Sequence, residues 1–163
     1  MARLIVFDAS VAIAALSADD AHHPAALTAI ASLQTNDELV LAATTRTEIL
    51  VGPSRAGGSK WKTARDFIDG CATVPVTAAI ADAAAGLKAR HSALSVPDAV
   101  ALAVADVVGA DVVWTFDQRW SSVDPRVTIP TVATNLPGRP QQTELREEPG
   151  PAASYAESGR PRS

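Results

Sequence analysis

The stretch LIVFDASVAIAAL, residues 4–16, contains a short apolar run, a single carboxylate and then a second apolar run. The run RLIVF at residues 3–7 has the length and composition of a short buried strand. The run SVAIAAL at residues 10–16 predicts a helix. Asp8 lies between the two, so the chain carries an acid where its first buried strand ends.

The same alternation of strand and helix continues beyond this stretch. Further strands are predicted over residues 38–43, 72–76, 111–116 and 127–132. Helices are predicted over residues 24–34, 44–50, 60–70, 77–91 and 96–110. The helix at 44–50 is expected to stop at Gly52-Pro53, before a flexible loop, SRAGGSK. Such alternation predicts an α/β fold in three layers, with helices flanking a central, mainly parallel sheet.

The composition of the chain changes near residue 136. Residues 1–136 fit one domain with enough length for a sizeable core. From Pro137 the sequence is rich in Pro, Gly, Ser and charge, and its four arginines balance its four glutamates. Residues 137–163 are therefore predicted to form a disordered C-terminal tail.

The overall composition argues against several classes of protein. The net charge of −4 gives no chain-wide basic footprint for nucleic acid, and an aromatic content of 4% argues against a base-stacking platform of exposed rings. Cys71 is the only cysteine, so an internal disulfide and a cysteine-based zinc site are excluded. No apolar run reaches the roughly 20 residues of a membrane span, and the N-terminus is too broken for a signal peptide. We expect a cytoplasmic protein without a membrane partner.

Four acids stand where an α/β fold presents ligands. Asp8 and Asp117 each follow a predicted strand, and ligands bind beyond the carboxyl ends of parallel strands. Glu48 and Asp98 lie in the first turns of predicted helices. Four acids converging on one crevice would repel one another unless hard cations neutralised them, and such oxygen ligands suit Mg²⁺ or Mn²⁺. A site of this kind commonly serves phosphate chemistry.

Each acid also has an ordinary structural interpretation. Asp8 or Ser10 would cap the first helix, and Asp117 would be a turn residue after a strand. Glu48 and Asp98 each complete the pattern [ST]-x-x-[DE] of a capping box. The spacing of the acids leaves both interpretations open.

Five short motifs, in this order along the chain, resemble those of the PIN domain, and most closely those of the VapC toxins of bacterial toxin–antitoxin pairs. They are Val6-Phe7-Asp8-Ala9-Ser10, Thr47-Glu48-Ile49-Leu50, Pro97-Asp98-Ala99, Gly109-Ala110-Asp111 and Thr115-Phe116-Asp117. The resemblance covers about residues 3–133, and all four acidic positions are filled. It departs from the family in the tail beyond Leu136, which is longer than usual.

The resemblance implies a metal-dependent endoribonuclease with a PIN-like fold. Asp8 and Asp98 would be the principal ligands of Mg²⁺ or Mn²⁺, and Glu48 and Asp117 would complete the pocket directly or through water. A metal-bound water would attack a backbone phosphate of tRNA or rRNA, leaving a 5′-phosphate and a 3′-hydroxyl.

Polar and basic residues near the acids are candidates for substrate binding. Ser10 and Thr115 would hydrogen-bond a ligand carboxylate or a substrate phosphate, or else serve as a helix cap and a strand-end hydroxyl. Arg46 and Arg119 are the first candidates for phosphate contacts. Other basic residues share that potential, with a solvated surface as the alternative for each: Arg55, Lys60, Lys62, Arg65 and Arg90. His22 and His23 lie in a predicted loop and are expected to be solvated.

Partners also follow from the resemblance. A small antitoxin would wrap the chain and place a basic side chain in the acidic pocket, and a second copy of the chain would form a homodimer. The predicted helices at 60–70 and 24–34 are candidates for the apolar docking surface. A non-catalytic PIN-like binding module is one alternative. A haloacid dehalogenase-type phosphatase is another, although Ser10 replaces the second acid of its Asp-x-Asp pattern.

Overall fold

A five-stranded sheet forms the centre of the computed structural model, which describes residues 2–132. Its strands, all parallel to their neighbours, lie in the order β3-β2-β1-β4-β5. They are β1 (Leu4–Phe7), β2 (Glu38–Ala42), β3 (Ala72–Val74), β4 (Val112–Trp114) and β5 (Val127–Thr128). The helices of this part of the chain are α1 (Ala9–Leu16), α2 (His23–Ala31), α3 (Ala43–Ala56), α4 (Gly58–Asp69), α5 (Ala78–Arg90) and α6 (Val96–Val108). A short 3-10 helix spans Gln118–Ser122. The predicted α/β class is confirmed.

The sheet is the middle of three layers because its strands bury both faces. Within β1, Ile5 and Phe7 pack in a core formed with α1, α2, α3 and α4, whereas Val6 packs in a second core with α5 and α6. This alternation follows from the two-residue repeat of a strand. Within α6, the seven residues from Ala99 to Ala105 are all buried, and its small alanine side chains allow close packing.

The central position of β1 brings two predicted strand ends together. Phe7 of β1 pairs in register with Trp114 of β4, and the Asp8 amide donates to the Trp114 carbonyl oxygen at 2.8 Å. The chain builds outward from β1 through β2 and β3 and then returns to the other side at β4. The crevice at such a change of direction is where ligands bind in open parallel sheets.

The expected stop at Gly52-Pro53 is wrong, because α3 continues to Ala56. A residue before proline normally avoids the helical region because its Cβ meets the proline ring, and glycine has no Cβ. The break comes instead at Gly57 and Gly58, whose φ angles of +65° and +54° suit glycine. The loop predicted over residues 54–60 is therefore reduced to a single connecting residue, Gly57, between α3 and α4.

The predicted strand at 127–132 is shorter than expected and ends before Pro130. Proline lacks the amide that would extend the ladder. No helix among residues 2–132 is long and apolar enough to cross a membrane. The proposed domain boundary at residue 136 and the predicted tail at 137–163 lie outside the described residues.

Candidate functional site

Asp8 is held firmly at the carboxyl end of β1. Its Oδ1 accepts a hydrogen bond from the Ala9 amide at 2.7 Å, which caps α1. Its Oδ2 accepts from the hydroxyls of Ser10 at 2.6 Å and Thr115 at 3.1 Å. The capping interpretation is therefore correct for Asp8, and the same contacts fix the direction of its carboxylate.

The environment of Asp8 disfavours its charge. Burial raises the pKa of Asp8, the hydroxyls of Ser10 and Thr115 oppose that effect, and the charge of Asp98 adds to it. A half-buried carboxylate with a raised pKa near a second carboxylate is typical of functional sites.

Glu48 lies on α3 and does no capping. The helix begins one turn earlier, with Ala42 at its N-cap, so the capping box expected from Thr45 and Glu48 is not formed. Partial loss of hydration raises the pKa of Glu48, and the charges of Asp8 and Asp98 raise it further. Among residues 2–132, its carboxylate has no hydrogen bond or ion pair.

Asp98 forms the capping box that its spacing predicts. Its Oδ2 accepts from the Ser95 amide at 2.8 Å, and its own amide donates to Ser95 Oγ at 3.2 Å. This interaction uses one carboxylate oxygen, and Oδ1 has no partner among the described residues. Asp98 is thus both a helix cap and one of the charges that act on Asp8 and Glu48.

Asp117 is engaged by Arg119. The arginine donates from Nε to Asp117 Oδ1 at 2.9 Å and from a terminal nitrogen to Oδ2 at 2.5 Å. This guanidinium holds the pKa of Asp117 below its usual range. Another nitrogen of Arg119 donates to the Ala93 carbonyl oxygen at 3.3 Å, and the charge of Asp98 helps to raise the arginine pKa. Arg119 therefore lies between the Asp117 and Asp98 sides of the site.

Ser10 and Thr115 join α1 to the segment after β4. Ser10 Oγ donates to Asp8 and accepts from the Phe116 amide at 3.1 Å. Thr115 Oγ1 donates to Asp8 and accepts from the Asp117 amide at 3.0 Å. Of the two interpretations offered for these hydroxyls, the structure contains the hydrogen bond to a carboxylate.

Arg46 is not beside the acids. Its guanidinium donates to Asp69 at 2.7 Å and to Thr73 Oγ1 at 3.2 Å, at the end of α4 and on β3. Arg65 also contacts Asp69, at 3.1 Å. Arg46 is therefore paired with an acid of α4, as Arg119 is paired with Asp117, and its role in phosphate binding stays a prediction.

The donor chemistry fits a hard cation, but the acids do not form a tight cluster. Within residues 2–132, no three His, Cys, Asp or Glu side chains lie close enough together to hold one metal ion. The charge of Asp98 nevertheless raises the pKa of Asp8 and of Glu48, and the charge of Asp8 also raises the pKa of Glu48. Mg²⁺ commonly takes only one or two carboxylates and keeps several waters, so a loose set of oxygen ligands suits it.

An aromatic pair beside the acids was missed by the sequence analysis. The ring of His22 stacks on the ring of Phe116, with centroids 4.3 Å apart and planes 15° from parallel. His22 is exposed as expected, but it is not merely solvated. His23 is half-buried, and its Nδ1 donates to the Ala14 carbonyl oxygen at 2.7 Å. The one available signal was the position of Phe116 inside the motif Thr-Phe-Asp.

Comparison with protein families matches the PIN domain over residues 5–125. Comparison with curated proteins gave no match.

Several solved structures share the fold. A crystal structure of the sarcin–ricin loop cleaving toxin VapC20 from Mycobacterium tuberculosis has 24% identity and a TM-score of 0.63, covering 72% of this chain and 93% of that one. A toxin–antitoxin complex from Klebsiella pneumoniae has 19% identity and a TM-score of 0.63, covering 76% and 95%. VapBC-1 from nontypeable Haemophilus influenzae has 14% identity and a TM-score of 0.58, covering 77% and 97%.

Proposed function

We propose, from the premise that this chain belongs to the PIN-domain family, that it is a metal-dependent endoribonuclease acting as the toxin of a toxin–antitoxin pair. The observation that carries the proposal is the placement of Asp8, Glu48 and Asp98 near the edge of the sheet where β1 and β4 end, close enough that the charge of Asp98 raises the pKa of both Asp8 and Glu48. Like charges placed together in a crevice raise the free energy of the fold, and a bound cation removes that penalty. The arrangement therefore serves binding rather than stability.

The four acids divide into groups with different surroundings. Asp8 and Asp98 are oriented by backbone and hydroxyl donors and would hold Mg²⁺ or Mn²⁺, with Asp117 and Glu48 completing the pocket. When bound, such an ion lowers the pKa of a water molecule and offsets charge on phosphoryl oxygens.

Glu48 is the acid best suited to move a proton. Its pKa is raised and its carboxylate lies free of partners within residues 2–132. As water attacks phosphorus, its oxygen bonds to the phosphate and its proton passes to Glu48. The bond from phosphorus to the 3′-oxygen then breaks and that oxygen takes up a proton from solvent, which leaves a 5′-phosphate and a 3′-hydroxyl.

Arg119 supplies the positive charge that an acidic site needs for RNA. It is exposed, and it contacts Asp117 and the Ala93 carbonyl rather than any buried group. A backbone phosphate would compete with Asp117 and the Ala93 carbonyl for the donors of this guanidinium. One structure of the same fold is a toxin that cleaves the sarcin–ricin loop, which supports tRNA or rRNA as the substrate class here. Cytoplasmic action fits such a substrate.

An antitoxin partner has a suitable surface next to α3. A groove of about 400 Å³ lies between α1, α3 and α4, with Lys60 at one side and an apolar lining of Ile13, Leu16, Ile49, Pro53 and Ala56. An apolar face of a helix fits such a groove. Structures of this fold have been solved as toxin–antitoxin complexes, which supports a small antitoxin as the occupant. The predicted surface on α4 is included in this groove, whereas α2 contributes nothing to its lining.

A homodimer remains part of the proposal.

The decisive experiment is cleavage of a tRNA and rRNA pool by purified, antitoxin-free protein in Mg²⁺ or Mn²⁺. Matched reactions contain EDTA or the variant Asp98→Asn. Discrete fragments that disappear in both controls are the expected result. Intact RNA in every reaction, from protein that is folded and binds metal, would overturn the nuclease proposal.

One alternative function has an observation in its favour. The engagement of Asp117 by Arg119, with no preformed three-ligand group in residues 2–132, is also compatible with a PIN-like module that binds without cutting. The cleavage assay separates the two. The dehalogenase-type phosphatase is excluded by the family match, and Ser10 uses its hydroxyl to hold Asp8.

A further inference from the structure

The stacked rings of His22 and Phe116 belong to a fixed part of the structure. The Asp20 carboxylate accepts from the His22 amide at 2.8 Å, and the Ala26 amide donates to the His22 carbonyl oxygen at 2.9 Å as α2 begins. Phe116 is half-buried and packs against the core shared by α1 to α4. His22 is exposed. The pair is therefore a flat surface with a packed base and an outer ring in solvent.

This surface adjoins the acids through covalent and hydrogen-bond connections. Phe116 lies directly between Thr115 and Asp117 in sequence. Its amide donates to Ser10 Oγ, whose hydroxyl donates to Asp8 Oδ2. A nucleotide next to a phosphate held at Asp8 would thus lie within reach of the two rings.

We propose that His22 and Phe116 form a stacking platform for a nucleobase adjacent to the scissile phosphate, with the base lying on the outer face of His22. The inference rests on the proposed ribonuclease function and specifies its substrate. A base can stack on a side chain only when it is free of its own helix, so the substrate is an unpaired nucleotide in a loop or single strand. Purines, which have the larger ring face, are favoured at this position.

A purely structural explanation of the pair accounts for less. Covering one face of Phe116 requires only an apolar side chain, whereas His22 is polar and exposed. A planar polar ring leaves a face that can stack and an edge that can hydrogen-bond. Stacking on such rings tolerates different bases, and losing one ring weakens binding by about tenfold.

The test is the affinity of the full chain for fluorescently labelled single-stranded RNA in EDTA, where cleavage does not interfere. Oligonucleotides carry adenine, uracil or an abasic site at one position. Variants are His22→Ala, His22→Phe and, as a control on the adjacent helix α2, Leu27→Ala at an exposed position. Thermal unfolding checks that each variant is folded.

The expected result is that His22→Ala binds the RNA about tenfold more weakly than the wild type. His22→Phe and Leu27→Ala should bind it as tightly as the wild type does. The advantage of adenine over the abasic site should disappear in His22→Ala alone. Equal binding by the wild type and His22→Ala, or equal affinity of the wild type for the adenine and abasic oligonucleotides, would overturn the platform.

This experiment separates the platform from the proposed function. If RNA cleavage depends on Asp98 but not on His22, the platform fails and the nuclease stands. If RNA binding depends on His22 but no RNA is cut, the nuclease fails and the platform survives as an RNA-binding surface. If the wild type binds no RNA in EDTA, the platform is wrong, and the cleavage reactions in Mg²⁺ or Mn²⁺ decide the nuclease proposal by themselves.

Discussion

The charge of Glu48 opposes the stability of the fold, because this single residue lies near two other acids without a partner of its own among the described residues. Its side chain caps nothing and pairs with nothing among residues 2–132, yet it lies within the fields of Asp8 and Asp98. A group whose folded-state pKa is raised stabilises the protein below its unfolded pKa, and that stability is lost as pH rises through the folded value. For Glu48 the loss begins near the ordinary glutamate pKa of about 4.3 and is complete above the raised value.

We therefore predict that Glu48→Gln raises the melting temperature at pH 7 in EDTA and abolishes RNA cleavage. The difference from the wild type should shrink as pH falls from 7 toward 4. Scanning calorimetry over this range measures it. Added Mg²⁺ should stabilise the wild type more than the variant, because the cation offsets a negative charge at Glu48 that the variant lacks. A variant less stable than the wild type at pH 7 would contradict the prediction.

Arg119 is predicted to act on substrate rather than on folding. Its pair with Asp117 is largely exposed, so the pair contributes at most about 1 kcal/mol to stability. We expect Arg119→Gln to lower kcat/KM by about tenfold and to reduce the salt dependence of RNA binding by about one phosphate contact. Lys62→Gln, which removes a cation paired with Asp66 on the exposed surface of α4, is the matched control. Identical salt slopes for all three proteins would refute the role given to Arg119.

The site residues that the sequence predicted have a local signal, whereas the contacts that it missed join residues far apart in the sequence. Asp8 and Asp117 were recognisable because an acid directly follows each buried run. The pairing of Arg46 with Asp69 and the stacking of His22 on Phe116 join residues on different elements, and no local spacing signals them. The low aromatic content argued against a stacking surface, but one phenylalanine and one histidine are enough to build one.

At the scale of the element, α3 contradicts the sequence prediction most clearly. The pair Gly52-Pro53 is normally a stop signal, and the helix passes through it. The usual stop signal fails here because Gly52 has no Cβ to meet the ring of Pro53, so the residue before the proline keeps a helical conformation. The helix ends instead at Gly57, where φ is +65°.

Two glycines test this account of α3. In α5, Gly86→Ala should stabilise the protein by about 0.5–1 kcal/mol, because the new Cβ meets only the flexible end of Arg90 at 3.4 Å. In α3, Gly52→Ala adds a Cβ with open space around it, yet it should give no gain because the new residue precedes Pro53. Urea unfolding of the two variants measures the difference. Equal stabilisation by both would show that the missing Cβ is not what allows the helix to pass the proline.

At the scale of the whole molecule, the sheet order explains why the sequence predicted the fold better than the site. Alternating strands and helices specify a parallel sheet, and the central position of β1 brings the acids after β1 and β4 to one edge. The depth of the crevice, the direction of each carboxylate and the ion pairs depend on packing between layers, which no single segment contains. The groove between α1, α3 and α4 is a property of this packing.

Exposed apolar residues on opposite sides of the sheet test where the antitoxin binds. Ile13 on α1 lines the groove and is 42% exposed, whereas Val107 on α6 is 62% exposed on the opposite side of the sheet. A lysine at either exposed position should leave the fold intact, but Ile13→Lys places a charge against the apolar face of a docked helix. We expect Ile13→Lys to weaken binding of the co-expressed antitoxin at least tenfold while RNA cleavage by the free protein is unchanged.

Val107→Lys should bind the antitoxin as the wild type does, and isothermal titration calorimetry with the purified partner compares the three proteins. If both lysine variants bind normally, the antitoxin does not use this groove. If both bind weakly, the lost affinity reflects a general effect of added charge rather than binding of the antitoxin in this groove. Selective loss in Ile13→Lys with preserved cleavage would place inhibition and chemistry on separable surfaces, so a variant could escape its inhibitor without losing activity.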